Sequence, residues 1–235
     1  MKQILTNHYQ EFSKQAAELV LDLVNHQPDA TLGLATGSTP QGMYEIIRQS
    51  RADFSKVTTF NLDEYVGLGA HHPQSYRTFM NQELFNHIQV YESNIPNGLA
   101  NDLEKECQRY EEKIQSSGGI DLQILGLGHN GHIGFNEPGT PFTSRTHVVN
   151  LAETTRQANA RFFNRLDEVP TQAITMGIES IMEAKQILLL VYGSDKSKAL
   201  DRLLNGEVSE SFPASILHKH DHVTLLHVEV VSRIC

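Results

Sequence analysis

Residues 120–139 read IDLQILGLGHNGHIGFNEPG, an apolar run that passes without a break into a loop of five glycines carrying His129, Asn130, His132 and Glu137. The run is short enough for a buried strand, so the polar groups emerge at a strand's carboxyl end. In open parallel α/β sheets, ligands bind along that edge. Gly126, Gly128 and Gly131 formally satisfy GxGxxG, but the residues that follow hold a further glycine and a proline, which prevent the helix a dinucleotide site requires. The dinucleotide reading is therefore rejected. A glycine-rich turn without catalytic duty is the plain alternative, and the carboxylate five positions after His132 argues against it. Such a pair sets the tautomer and proton affinity of an imidazole whose unperturbed pKa of about 6.5 suits proton shuttling near neutrality.

Outward from this loop, helical and strand patterns alternate. Phe12, Ala16, Leu19, Val20 and Leu23 form a helical stripe ending near Pro28, and the short strand candidate TLGLA follows. Next come a helix near 40–50, a strand in VTTFNL, a helix near 74–88 and one over 102–116 with Leu103, Cys107, Tyr110 and Ile114 on one face. Beyond the loop the patterns predict helices around 153–165 and 175–184, the strand QILLLVYG, a helix over 195–205 and the strand HVTLLHVEV. Strands interleaved with helices mean parallel βαβ units.

Three other segments carry chemistry. In LATGSTPQG, residues 34–42, a strand runs into Thr36, Gly37, Ser38 and Thr39, and a helix starts at Pro40. Small residues before such a helix leave backbone amides free to cradle an anion, while ordinary N-capping by Ser38 or Thr39 explains the pattern equally well. The GK[ST] ending of a nucleotide triphosphate loop is absent. In FNLDEYVGL, Asp63 and Glu64 end the strand that begins at Val57; adjacent acids there are commonly solvated turn residues, but neighbours in extended chain point to opposite sides, so one of them could face a cleft. In VYGSDKSKAL, Lys196 and Lys198 open a helix, where the dipole disfavours cations; a bound anion would resolve the conflict, and solvation of both lysines is the alternative. His218, His220 and His222 superficially resemble a metal site but read more simply as a polar connection, and Arg156 and Arg161 lie on a helical pattern, solvated or serving a phosphate.

The 235 residues suffice for one domain with a substantial core, and 1–235 is taken as a single domain. A net charge of -9 with 19 basic residues argues against nucleic acid as the main partner. The first residues lack the apolar core of a signal peptide, and no apolar segment approaches the ~20 residues needed to cross a bilayer, so a cytoplasmic protein without a membrane partner is expected. Cys107 and Cys235 are too far apart in sequence to suggest a disulfide framework or a metal knuckle and are expected as free thiols.

LGLATGSTP, FNLDEYVGL, GLGHNGHIGFNEPG, ANARFF and the 193–200 segment, in this order and over nearly the whole chain, resemble the glucosamine-6-phosphate deaminase family, specifically its smaller non-allosteric members. The resemblance implies a Rossmann-like, doubly wound α/β fold: a mostly parallel sheet with helices on both faces and a helical lid, shared with sugar-phosphate isomerases and 6-phosphogluconolactonases. It implies conversion of glucosamine 6-phosphate and water to fructose 6-phosphate and ammonia, with no metal and no cofactor. It assigns Asp63 as the base that moves the C2 proton to C1, His132 as the ring-opening proton shuttle and Glu137 as the carboxylate that tunes it; Glu64 receives no role. Thr36, Gly37, Ser38, Thr39, Arg161 and Lys196 match the phosphate-binding set.

Three departures from the better-known members carry expectations. Asn130 stands where many carry aspartate, which leaves the ring-opening group less acidic and more of the tuning to Glu137. His147 and Val149 stand where hexameric allosteric members carry basic residues, and the chain is shorter at its C-terminus. Loss of the allosteric site and a monomer or small homo-oligomer are expected. The rivals are a 6-phosphogluconolactonase, which has no use for a C2 base, and a noncatalytic sugar-phosphate sensor, against which the joint presence of Asp63, His132 and Glu137 argues.

Overall fold

The computed structural model describes residues 1–160, 163 and 165–228. Among the described residues, ten strands fall into two sheets. The larger contains β1 (Lys2–Thr6), β2 (Thr31–Leu34), β3 (Thr58–Asn61), β5 (Glu92–Asn94), β6 (Leu122–Gly126), β9 (Gln186–Val191) and β10 (Val223–Val228), in the order β1-β10-β9-β6-β2-β3-β5 and parallel throughout. The smaller is antiparallel, β4-β8-β7, built from β4 (Asp63–Tyr65), β7 (His147–Asn150) and β8 (Gln172–Thr175). Strands β2, β6 and β9 are almost wholly buried, which is why they read as continuous apolar runs and not as alternating patterns.

From β1 the chain steps through β2 and β3 to β5, then returns through β6, β9 and β10. Right-handed crossovers therefore place α1 (Tyr9–His26), α2 (Gln41–Gln49) and α3 (Tyr76–Met80) on one face and α4 (Leu103–Ser116), α6 (Ile178–Met182) and α7 (Ser197–Asn205) on the other. The sheet is doubly wound as expected. Its direction switches between β2 and β6, so the loops after these two strands meet over one crevice. On α1, Phe12, Ala16 and Val20 enter the core; on α4, Tyr110 donates to the Asn61 and Asn94 carbonyls at 2.7 and 3.2 Å and tethers the helix beneath β3 and β5.

Several sequence expectations need correction. VTTFNLDEY is not one strand. It breaks at Leu62, whose N–H donates to the Leu34 carbonyl of β2 at 3.1 Å while its own carbonyl accepts from Met176 N, just past β8, at 2.6 Å. Asp63 and Glu64 thus belong to the small sheet. The helix near 74–88 is the short α3 followed by a π-helical turn over Asn81–Phe85. The helix near 175–184 begins as strand β8 and turns helical only at α6, because that stretch pairs with both β4 and β7. Of the helix expected around 153–165, Glu153–Asn159 forms α5, and residues 161, 162 and 164 lie outside the described residues. Cys107 is a buried free thiol; Cys235 lies outside the described residues. No helix among the described residues is long and apolar enough to cross a membrane.

Candidate active site

The loops after β2, β3, β6 and β9, with α3 and α5, enclose a cleft of about 910 Å³. Its lining brings together Thr36, Gly37, Ser38, Thr39, Asp63, Asn130, His132 and Lys196 from four separate stretches of sequence. Glu137 stands behind His132. Arg161 lies outside the described residues.

The glycine-rich loop after β6 is shaped around an imidazole. A Cβ at Gly128 would fall 2.3 Å from the His132 ring, so only glycine lets the ring lie against the backbone there, and Gly128 N–H donates to the His132 carbonyl at 2.9 Å. The FNEPG turn is fastened from beneath: buried Asn136 donates to the Ile133 and Met176 carbonyls at 2.8 and 2.9 Å, and Phe135 N–H donates to Thr175 Oγ1 at 3.1 Å. Glu137 Oε1 then stands 3.6 Å from His132 Nδ1. Asn130 Nδ2 donates to Glu137 Oε2 at 2.6 Å, and Thr155 Oγ1 of α5 donates to Oε1 at 2.6 Å. Burial pushes the Glu137 carboxyl up, but His132 and the Thr155 and Asn130 donors outweigh it and hold the group down at about 2, ionised at any working pH. Asn130 therefore acts on the carboxylate; its own Oδ1 accepts from the His132 backbone N–H at 3.2 Å and reaches no ring nitrogen.

Of the two adjacent acids, one faces the cleft and the other supports it, as alternation along an extended chain requires. Asp63 is buried between Leu62, Tyr76 and Phe135 in the cleft wall, and no hydrogen bond reaches its carboxylate among the described residues. Desolvation, and secondarily the charge of Glu64, pushes it up to about 8. Glu64 is also buried but fully engaged. It accepts from the Tyr65, Tyr76 and Arg77 backbone N–H groups at 2.8, 3.0 and 3.0 Å, which places a carboxylate on the first turn of α3 and holds Tyr76 in the wall beside Asp63. Burial still raises Glu64, against the lowering by those three donors.

At the other end of the cleft, Gly37 adopts φ 95° and the chain turns into α2 with no side-chain cap from Ser38 or Thr39, which leaves both hydroxyls available. The loop is braced from behind by Tyr9, whose hydroxyl donates to the Ser38 carbonyl and accepts from Gly42 N–H, both at 3.0 Å. Opposite it, Lys196 ends a 3-10 turn at the entry to α7, with Nζ 3.0 Å from His129 Nδ1. His129 Nε2 in turn lies 2.5 Å from Asp195 Oδ2. Gly193, at φ 109°, gives Asp195 room, since a Cβ there would lie 2.4 Å from Asp195 Oδ1. Desolvation lifts Asp195, and His129 and Lys196 bring it below the usual carboxylate range. A cationic ammonium, a loop of small residues and hydroxyls lining one cleft are a donor set that suits an anion such as a phosphate.

The sequence placed His129 in the candidate loop without a role and did not single out Asp195, Tyr76, Thr155 or Asn136. His129 and Asp195 are 66 positions apart, and nothing local marks the pair. Of the three alternating histidines near the C-terminus, two serve the fold: His218 Nε2 lies 2.6 Å from the Leu203 carbonyl and His220 Nε2 2.7 Å from the Ala184 carbonyl. Arg156 is held by Glu153 and the Val169 carbonyl. His147 and Val149 lie on β7, in the small sheet.

The family model for glucosamine-6-phosphate isomerases/6-phosphogluconolactonase matches residues 6–226. The chain belongs to this family. Among its members, the chain is 56% identical over 232 residues to the glucosamine-6-phosphate deaminase of Oceanobacillus iheyensis, covering 96% of this chain and 93% of that relative. It is 53% identical to glucosamine-6-phosphate deaminase 1 of Bacillus subtilis, covering 96% of each. A solved structure of a monomeric glucosamine-6-phosphate deaminase matches with a TM-score of 0.95 at 51% identity, over 97% of this chain and 98% of that one. The 6-phosphogluconolactonase of Thermotoga maritima matches with a TM-score of 0.77 at 20% identity over 97% and 98%, a likeness of fold alone. The seven-stranded parallel sheet with its small antiparallel companion is the family's architecture.

Proposed function

We propose that this chain is a glucosamine-6-phosphate deaminase, acting as a single domain and a monomer, that converts glucosamine 6-phosphate and water to fructose 6-phosphate and ammonia. The observation that carries the reading is one cleft holding two separate proton-transfer groups, Asp63 and the His132–Glu137 couple, beside an anion cradle. The substrate phosphate rests on the Thr36–Thr39 loop and Lys196, which fixes the sugar without touching the reacting carbons. His132, held by Glu137, moves a proton from the anomeric hydroxyl to the ring oxygen and opens the ring. Asp63, as carboxylate, removes the C2 proton and returns it at C1. The amine at C2 conjugates with the intervening enediol-type intermediate and becomes an imine, and water then hydrolyses it to the ketone and ammonia. A lactonase would leave Asp63 idle, since ester hydrolysis abstracts no proton from carbon; the identity above 50% to deaminases supports the same choice.

The test is release of ammonia and fructose 6-phosphate from glucosamine 6-phosphate, alongside 6-phosphogluconolactone hydrolysis and an EDTA-treated sample. Stoichiometric release that survives EDTA is expected. Lactone hydrolysis without ammonia would overturn the reading in favour of the lactonase, and ligand binding without turnover of either substrate in favour of a sensor.

A further inference from the structure

One oxygen of Glu137 is contested. Oε1 accepts from Thr155 Oγ1 at 2.6 Å, and the same atom stands 3.6 Å from His132 Nδ1, beyond hydrogen-bond reach. Nδ1 is buried and has no hydrogen-bond partner. Oε2 is occupied by Asn130 at 2.6 Å. Each carboxylate oxygen thus already accepts from a neutral donor, while the ring nitrogen they would orient stands at ion-pair distance without a hydrogen-bond partner. A buried polar atom without a partner costs about 1–3 kcal/mol, so a small shift of the carboxylate toward the ring is favoured whenever the competing donor lets go.

We propose that Thr155 is a positioning residue for the reaction: its hydroxyl shares Glu137 Oε1 with His132 Nδ1 and draws that oxygen toward α5, so the placement of α5 beside the cleft governs how firmly the carboxylate holds the imidazole. This rests on the assignment of His132 and Glu137 to ring opening. With Thr155 bonded, the charge on Oε1 is dispersed into the hydroxyl and the ring is loosely held. When α5 moves so that this bond lengthens, Oε1 closes on Nδ1–H, the tautomer is fixed, and Nε2 becomes the atom that exchanges a proton with the sugar. α5, which lines the cleft through Thr155, and the group assigned to ring opening are coupled through a single hydroxyl.

The titratable groups sharing the cleft with the imidazole are Asp63 on β4, Tyr76 on α3, His129 on the same loop, and Tyr192, Asp195 and Lys196 after β9. On α5 itself, Arg156 turns to Glu153 and the Val169 carbonyl. None of these is altered by Thr155→Val, which keeps the branched shape and deletes the donor, or by Thr155→Ser, which keeps the donor. The experiment is NMR titration of the His132 imidazole, its signals identified by their loss in His132→Asn, in the wild type, Thr155→Val, Thr155→Ser and Glu137→Gln, with the pH profile of kcat/KM measured in parallel. Thr155→Val is expected to raise the His132 pKa by about half a unit or more, because an uncovered carboxylate pairs more firmly with imidazolium, and to move the acid limb of kcat/KM the same way. Thr155→Ser is expected to match the wild type, and Glu137→Gln to lower the His132 pKa. An unmoved titration in Thr155→Val beside a lowered one in Glu137→Gln overturns the role of Thr155 and leaves the couple standing; equal shifts in Thr155→Val and Thr155→Ser overturn it as well. An unmoved titration in Glu137→Gln overturns the His132–Glu137 couple itself.

Discussion

The two ends of the cleft are built to opposite specifications. At the proton-transfer end, Asp63 is 7% exposed and the side chains of His132 and Glu137 are 28% and 16% exposed; at the anion end, His129 and Asp195 side chains are 62% and 58% exposed. Burial is what lifts Asp63 to about 8, so the same carboxylate in the open end would be an ordinary, weak base. Exposure at the other end would leave a doubly charged ligand group partly hydrated, so binding it would not require stripping all its water. On the proposed function, the dry end supplies chemistry and the wet end supplies grip. Substitutions at the first should strike turnover, and at the second the Michaelis constant.

The sharpest way to break that division is Asp63→Asn, expected to cut kcat by ~10³-fold or more while the dissociation constant for the substrate changes only a few-fold, since an amide keeps the shape and cannot accept the proton. Its stability follows in sign. The folded-state value of about 8 lies above the ordinary 3.8, so the stabilising contribution is present in full below pH 3.8 and is lost as pH rises through about 8. The amide does not titrate, so the Tm of Asp63→Asn should gain on the wild type between pH 5 and pH 9. By the same ionisation, wild-type kcat/KM should climb with pH through about 8. A variant that turns over at the wild-type rate would remove Asp63 from catalysis.

Glu137→Gln should lower kcat by ~10–100-fold, the range typical of a group that orients another. Its carboxyl is depressed from 4.5 to about 2, so it contributes stability above pH 4.5 that is lost as pH falls through about 2. Thermal melts should show a deficit of ~1–2 kcal/mol near neutrality that closes across that window. Lys196→Ala should raise KM by ~10–100-fold with kcat within a few-fold, the worth of one charge-assisted contact to phosphate; an unaltered KM would remove the lysine from the cradle. Smallest is His129→Ala, expected to raise KM ~2–5-fold with no change in Tm, because exposed pairs contribute little on their own. If His129→Ala matched Lys196→Ala, the open end would owe its grip to the trio of Asp195, His129 and Lys196 as a unit.

What the sequence made legible follows from burial and from local pattern. IDLQIL and QILLLV read as strands because both faces of the sheet are covered there, and the loop of 126–139 announced itself because glycine, histidine and glutamate sit within one turn of each other. Strands β1, β5, β7 and β8 did not, being three to five residues long and at sheet edges or in the small sheet, where pairing and not composition decides. Asp63 was found by motif, yet its conformation was misread, because no glycine or proline marks the break at Leu62; tertiary hydrogen bonds alone create it. Glu64 had no legible duty, since its three amide partners come from the chain twelve and thirteen positions away as well as the next residue.

That break gives the domain a mechanical property. Leu62 is laced on one side to β2 of the large sheet and on the other to the end of β8 in the small one, and the next residue is Asp63. The two sheets are riveted at this point, so neither can slide without dragging Asp63 along. Precision at Asp63 is inherited from the scaffold, and damage to β8, whose Thr175 pairs with Asp63, would be felt as a loosened carboxylate before it was felt as a melted protein.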